Sequence, residues 1–508
     1  MDRDAYNYFS SGAYSGVVVV GAVANEVGAS GTGGARCASI DELKNMKIVY
    51  KEILDSLPED WREDLIPKIR EINRKMQTTL VVLDDDPTGT QTVYDIPVLT
   101  EWTEERIQCE FEAGRPLFYI LTNSRCLHEQ SAIALAKEIG GNLRAASVAT
   151  GRQFRVISRS DSTLRGHYPA EVIALEKALG MEKALQVIMP FFLEGGRLTI
   201  NDTHYVREGE YLIPAGETSF AQDATFGYRT SDLKHWVEEK SRGFITNNEV
   251  CSITLDDIRR GGPDIVAEKL RNTEARACII NAVSMRDVEV VALSVLMAEQ
   301  EGATLIYRTA ASMVQALAGL YPKPLLKRQD LGLAEKGGAL IIIGSYQPKS
   351  TAQLEHLVNN TDVVSLMVDV QQLLNQSIET DSGALARKID EGLQAEKNVV
   401  LYTSREVVTG DDAATSLDIV GRVSAFLVEV VAHIAQRPRY ILSKGGITSS
   451  DIASKSLNVK QAEVLGQVLP GVPAWRLGPE SQFDGLVYIV FPGNVGEVDA
   501  ISEVVKRF

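Results

Sequence analysis

Basic charge is in deficit in this 508-residue sequence: 52 Lys and Arg face 68 Asp and Glu, for a net charge of −16. A surface that holds DNA or RNA must neutralise many phosphates, so nucleic acid is not an expected partner. A few converging Arg and Lys can still grip a small anion. Cysteine is also scarce. Five residues at wide spacing (Cys37, Cys109, Cys126, Cys251 and Cys278), with no C-x-x-C, offer neither a disulfide framework nor a thiolate zinc site and point to a reducing compartment. A membrane span needs about 20 apolar residues, whereas the stretch Val17 to Val23 is short and broken by Gly21. The start Met1-Asp2-Arg3-Asp4 lacks the basic region of a signal peptide. No membrane partner is expected, and the expected location is cytoplasmic.

Several catalytic signatures are missing too. The dipeptide Gly-Lys of a Walker loop occurs nowhere, and Gly31-Thr32-Gly33-Gly34-Ala35-Arg36 lacks the third Gly of G-x-G-x-x-G. The six His (128, 167, 204, 235, 356, 433) show no H-x-x-H or H-E-x-x-H spacing, and there is no G-x-S-x-G. Nicotinamide dehydrogenase, metalloprotease and α/β-hydrolase readings drop out.

What is present is an alternation. Residues 1–77 read as an N-terminal extension: a glycine-rich first part, then a polar segment in which Ile48, Ile53, Leu54, Leu57, Trp61 and Leu65 recur at helical spacing. From residue 78 onward, short β-rich runs are each followed by a polar loop and a helical stretch, as in α/β domains with a largely parallel sheet. The runs are Thr79–Leu83, Phe118–Leu121, Phe154–Ser158, Gln186–Met189, Ala277–Ile280 and Thr304–Tyr307, then Ala339–Ile343, Val363–Met367, Val399–Thr403, Tyr440–Ser443 and Leu486–Val490. Between the two blocks, residues 322–337 are basic, carry Pro322 and Pro324 and lack periodicity, which marks a linker. The expected architecture is two α/β domains, 78–321 and 338–508, each a largely parallel sheet flanked by helices, with the active site in the cleft between them.

Open α/β sheets bind ligands beyond the carboxyl ends of their strands. In the first block those ends carry Asp84-Asp85-Asp86-Pro87-Thr88-Gly89, Thr122-Asn123-Ser124-Arg125, Asp161-Ser162-Thr163-Leu164-Arg165-Gly166 and Gly196-Arg197. Guanidinium forks grip a carboxylate bidentately while Asp, Asn, Ser and Thr address hydroxyls, a set suited to a small polyhydroxylated acid. The alternative for each loop is helix capping and surface pairing. His167 and His204 lie near these loops, either against substrate or as hydrogen-bonded loop residues. The second block ends its strands in Gly344-Ser345, Lys444-Gly445-Gly446-Ile447-Thr448 and Pro492-Gly493-Asn494-Val495-Gly496. Small residues there let backbone N–H groups approach phosphate oxygens at helix N-termini.

In order and spacing these loops resemble the four-carbon acid sugar kinase family, from about residue 78 to the C-terminus. The resemblance implies a two-domain, ATP- and Mg²⁺-dependent kinase acting on threonate, erythronate, 3-oxotetronate or a related acid, with sugar acid on the first domain and ATP on the second. It implies Asp86 or Asp85 at the reacting hydroxyl, and Thr88, Asn123, Ser124, Arg125, Asp161, Ser162, Arg165 and Arg197 around the substrate. For ATP it implies Ser345, Lys444, Gly445, Gly446, Ile447, Thr448 and Gly493. Closure of the two domains would bring the γ-phosphate to a hydroxyl whose proton goes to Asp86. The chain departs from the family pattern at Gly89-Thr90-Gln91-Thr92, where an acidic residue is often found, near Arg308-Thr309-Ala310, and at Phe491, where Lys is common. Lys444, together with Mg²⁺, is expected to supply the missing cation, with Phe491 either core packing or a wall against adenine; the alternative is that Lys444 is a solvated surface lysine. The alternative is a non-catalytic nucleotide- or sugar-acid-binding protein of the same fold. Oligomeric state stays open, a homo-oligomer included.

Overall fold

The computed structural model describes residues 48–345, 347–375, 381–406, 408, 413–493 and 495–508. The glycine-rich stretch, Cys37, Tyr346 and Asn494 lie outside the described residues. All eleven apolar runs are strands, and they join four further strands in one 15-stranded sheet. In spatial order the strands are Val250–Ile253, Ala277–Ile280, Leu185–Met189, Leu305–Thr309, Phe154–Arg159, Thr79–Asp84, Leu117–Leu121, Ile96–Leu99, Gln461–Leu469, Val472–Leu477, Val487–Phe491, Ile441–Lys444, Leu340–Ile343, Asn398–Thr403 and Val363–Val368. The first eight form the N-terminal lobe and the last seven the C-terminal lobe. Within each lobe the core strands run parallel. Every residue of Thr79–Asp84 and Leu340–Ile343 is buried, as expected of parallel strands covered by helices on both faces.

The lobes are joined by backbone pairing. Gln461–Leu469 pairs antiparallel with Ile96–Leu99 on one side and with Val472–Leu477 on the other. Trp475 Nε1 donates to Thr90 Oγ1 across the junction at 2.9 Å.

The stretch 322–337 is docked rather than loose. Leu326 and Leu331 are buried in the C-terminal core, and Arg328 donates to the carbonyl oxygen of Phe508. The helix Ile66–Met76 packs on the N-terminal lobe: Ile66 and Ile69 are buried, and Arg70 and Asn73 donate to the carbonyls of Gly319 and Leu317. A separate four-stranded antiparallel sheet, in the order Ile48–Val49, Tyr211–Pro214, Thr203–Glu208, Arg197–Ile200, brings Arg197 to the lobe's ligand edge. The four described cysteines are unpaired, and no described helix is long and apolar enough to cross a membrane.

Candidate active site

Strand direction places Asp84 to Asp86, Thr122 to Arg125 and Arg159 to Arg165 at one edge of the N-terminal lobe, because Thr79–Asp84 runs parallel to both of its neighbours. Burial there is extreme for charged groups, and pairing compensates for it. Arg125 forms an ion pair with Asp86 and lies 3.6 Å from Asp161 and 3.8 Å from Asp85. Arg159, inside its strand, reaches Asp84 at 2.9 Å and Asp85 at 3.4 Å. Arg165 Nε donates to Asp161 Oδ2 at 2.6 Å, and Asp161 also accepts from Thr163.

The three consecutive aspartates differ. Burial pushes Asp84 up to about 7 despite Arg159, with Asp85 and Asp86 adding to the rise. Burial likewise raises Asp85 against the pull of Arg125, Arg159 and Arg308. For Asp86, burial is outweighed by Arg125, the Thr88 hydrogen bonds and Arg159, so its carboxyl sits below the ordinary value. Its Oδ1 accepts from the Thr88 backbone N–H at 2.8 Å. Asp86 is therefore ionised near neutrality, and it is the least enclosed of the three.

Around this cluster, Ser124 is buried and hydrogen-bonded near Thr122, and Asn123 is half-buried with φ of 49°. Ser162 is buried, and its carbonyl accepts from His204 Nε2 at 2.8 Å. The other His204 nitrogen meets Thr199 Oγ1 at 3.0 Å, and burial lowers this imidazole to about 4, so His204 is a neutral brace beneath the loop. His167 spends its Nε2 on the Leu127 carbonyl. Arg308, fully buried, donates to Ser158 Oγ at 2.7 Å and lies 3.5 Å from Glu171.

The C-terminal loops converge opposite. A Cβ on Gly493 would lie 3.3 Å from Ser345 Oγ, and one on Gly445 would lie 3.2 Å from Ser345 Cβ. Ser350 Oγ ties the loops together through Ser345 Oγ at 2.9 Å and the Gly493 carbonyl at 3.1 Å. Gly445 adopts φ of +112°, which a side chain rarely tolerates. Gly446 opens the short helix Gly446–Asp451, which carries a half-exposed Ile447 and a buried Thr448. The two lobes meet at this point: a Cβ on Gly446 would overlap Asp86 Oδ2 and lie 2.8 Å from Asp86 Cγ. The carboxylate of one lobe thus rests on the glycine loop of the other.

Lys444 departs from expectation. It is fully buried, donates to the Pro492 carbonyl at 2.6 Å, and lies 4.3 Å above the Phe491 ring centroid. Burial, followed by the charge of Lys349, lowers it to about 7. Its ammonium braces the loop from beneath, so it is neither a solvated surface lysine nor a cation exposed to ligand. Phe491 is core packing and cannot wall an adenine.

Two cations at this edge lie outside the residues expected from sequence. Lys349 is exposed on the first turn of the helix Pro348–Asn360. Arg405, just past Asn398–Thr403, donates to the Ser345 carbonyl at 2.8 Å and the Thr403 carbonyl at 2.6 Å. Each comes directly after a strand or a glycine loop, and that position at a strand end is the signal that could have found them.

Two family models match the chain. Residues 80–317 match a family model described as a sugar-binding N-terminal domain, and residues 340–501 one described as a nucleotide-binding C-terminal domain. The chain is 24% identical over 364 residues to a D-threonate kinase of Salmonella typhimurium, covering 68% of this chain and 79% of that one. It is equally similar, at 24%, to a D-erythronate kinase of Heliobacterium modesticaldum, over 69% of this chain and 72% of that one. The chain belongs to the four-carbon acid sugar kinase family. The fold of this family member is shared with a crystal structure from Salmonella typhimurium at a TM-score of 0.61 and 17% identity, covering 85% of this chain and 99% of that one.

Proposed function

We propose that this protein is an ATP-dependent kinase that phosphorylates a hydroxyl of a four-carbon sugar acid such as threonate, erythronate or 3-oxotetronate. The observation that carries the reading is Asp86: an ionised carboxylate, anchored by Arg125 and Thr88 in the sugar-binding lobe, lies against Gly446 of the nucleotide-binding lobe. A phosphate chain held along Gly445, Gly446 and Gly493 would end where Asp86 can orient a hydroxyl. As the new O–P bond forms and the bond to the leaving ADP oxygen breaks, Asp86 takes the hydroxyl proton. Phosphoryl transfer asks chiefly for positioning and charge stabilisation, so a base of lowered pKa suffices to orient the nucleophile and accept its proton late.

Glycine loops in which a Cβ would crowd Ser345 fit a phosphate chain in close backbone contact. The described residues include no group of three or more His, Cys, Asp or Glu able to hold a metal. Magnesium is proposed as a companion of the ATP phosphates, where it would neutralise charge. ATP as donor goes with a cytoplasmic location. The test is ADP release by the purified protein with a panel of four-carbon acids. Turnover with at least one of them supports the kinase, whereas ATP binding without turnover on any favours the non-catalytic alternative.

A further inference from the structure

We propose that the protein carries a second ligand site, apart from the sugar-acid and nucleotide loops, in a cavity of about 810 Å³ behind the turn 225–229, and that it takes a small hydroxylated phosphomonoester. Binding there is independent of any catalytic role; its effect on the sugar acid rests on the kinase reading.

The cavity lies among the start of the helix Glu129–Thr150, residues 166–168, the turn 225–229 and the end of the helix Leu233–Lys240. Its size falls within the roughly 300–1,000 Å³ usual for small-ligand sites. None of Asp86, Arg125, Arg165 or Arg197 lines it. His167, only 6% exposed, forms part of the wall. Its Nε2 meets the Leu127 carbonyl at 2.9 Å and its ring packs edge-on against Phe226, while Nδ1 has no partner among the described residues. A hydroxyl, which both donates and accepts, suits that nitrogen.

Two cations at the cavity form no ion pair among the described residues. Lys240, half-buried, donates to the Phe226 and Gly227 carbonyls at 3.4 and 3.2 Å, long bonds to neutral partners, and the exposed Arg242 side chain has no partner among the described residues. Burial lowers the Lys240 pKa against the attraction of Glu239 and Asp223, and the nearby charge of Arg242 adds to the fall. Those carboxylates are engaged elsewhere: Glu239 lies 3.5 Å from the Arg229 guanidinium, and Asp223 lies 3.6 Å from that of Arg165. Glu129, exposed at the lining, pairs with neither Lys240 nor Arg242 among the described residues. A phosphomonoester brings close to two negative charges and three strong acceptor oxygens, enough for both cations, where a carboxylate brings one charge.

The same turn reaches the substrate edge. Asp223 Oδ1 accepts from the Thr225 and Phe226 N–H groups at 2.9 Å, and the Gly227 N–H donates to the Asp223 carbonyl at 2.9 Å, so residues 223–227 are tied into one unit. Its other end holds Arg165 through Asp223, and Phe220 lies beneath Arg165 and Arg197, 5.2 and 5.6 Å from their guanidinium carbons. A phosphate oxygen is a stronger acceptor for an ammonium than a neutral carbonyl. Occupancy therefore draws Lys240 from Phe226 and Gly227, loosens the turn, and weakens the hold of Asp223 on Arg165, so the sugar acid binds less tightly. The phosphorylated product of the proposed reaction is itself of this ligand class, which makes the cavity a seat for feedback.

Isothermal titration of wild type, Lys240→Met and Arg242→Gln with glycerol 3-phosphate, glycerate and glycerol tests the site. Wild type should bind one glycerol 3-phosphate, about tenfold more tightly than glycerate, and glycerol not at all. Lys240→Met should lose about tenfold in affinity for glycerol 3-phosphate and Arg242→Gln about threefold. Arg242→Gln removes no contact within the described fold, and ATP-induced thermal stabilisation checks that Lys240→Met is folded. Saturating threonate or erythronate, whichever is turned over, should weaken glycerol 3-phosphate binding by about fivefold or more and then level off, as reciprocal coupling requires. Failure of wild type to bind glycerol 3-phosphate, equally tight binding of glycerate, or unchanged affinity in both variants would overturn the site. A weakening that grows without limit as the acid is raised would mean one shared site and overturn it as well, and no weakening would overturn the coupling. The titrations without acid decide the cavity whether or not any acid is turned over.

Discussion

Replacing Gly446 by Ala probes the contact between the lobes with a single methyl group. Gly446 occupies ordinary helical backbone at the start of Gly446–Asp451, so Ala brings no conformational strain, and by propensity it should favour the helix by about 0.5–1 kcal/mol. The new Cβ would lie 2.8 Å from Asp86 Cγ, whereas carbon atoms in good contact stand about 3.5–4.0 Å apart. The Asp86 carboxylate must therefore retreat by roughly 1 Å, and Arg125 and the Thr88 N–H, which now fix it, must move with it or let go. A misplacement of about 1 Å at a reacting centre costs on the order of 10²-fold in rate. Gly446→Ala should thus lower kcat about 100-fold while leaving the melting temperature within a few degrees of wild type. The assay is steady-state ADP release with thermal melts of the same preparations. Gly421→Ala is the control, since a Cβ there meets nothing within 4 Å, and it should leave kcat unchanged. Wild-type kcat in Gly446→Ala would refute the placement of Asp86 against the phosphate loop.

Arg125→Lys replaces a fork that spans Asp86 and Asp161 by a point charge, so kcat should fall at least tenfold; wild-type kcat in initial-rate kinetics would show that the fork is not needed to hold Asp86. Lys444→Met should expose a pH signature. With the unfolded value at 10.5 and the folded value lowered to about 7, the unfolded chain binds more protons between those limits, so wild-type stability should rise relative to the variant from pH 7 toward pH 10. The slope approaches about 1.4 kcal/mol per pH unit at most, and parallel denaturation curves for the two proteins would show that Lys444 is not held in a desolvating site. His204→Ala removes the brace beneath the Ser162 carbonyl and should destabilise by about 1–3 kcal/mol in urea unfolding; no change in midpoint would remove that brace from the account.

The strand ends are legible because parallel strands buried on both faces read as continuous apolar runs, and the residues after each run form a loop at the ligand edge. Asp84 to Thr88 and Asp161 to Arg165 stand out on that ground alone. Strands Ile96–Leu99 and Gln461–Leu469 are not legible. The first is four residues with Pro97 inside it, the second alternates, and their pairing bridges more than 350 positions, which no local pattern encodes. Without them one continuous sheet reads as two. Arg159 and Arg308 can be located at strand ends in the sequence, but their roles cannot be read there, because each has meaning only once the facing carboxylate, Asp84 and Asp85 for Arg159 and Glu171 for Arg308, is known. Lys444 misleads for the opposite reason. Sequence places it beside the glycines, but the strand's pleat turns its side chain inward, over Phe491 at the same register of the adjacent strand.

The most direct measurement is phosphorus NMR of the reaction mixture: purified protein, ATP, Mg²⁺ and, in turn, each enantiomer of threonate and erythronate and 3-oxotetronate. Wild type should convert at least one acid to a single phosphomonoester in step with ADP. Asp86→Asn, which keeps the shape but loses the proton acceptor, should slow that conversion by about 10²–10⁴-fold while still binding ATP. Absence of any phosphomonoester from wild type, or an undiminished rate in Asp86→Asn, would contradict the account.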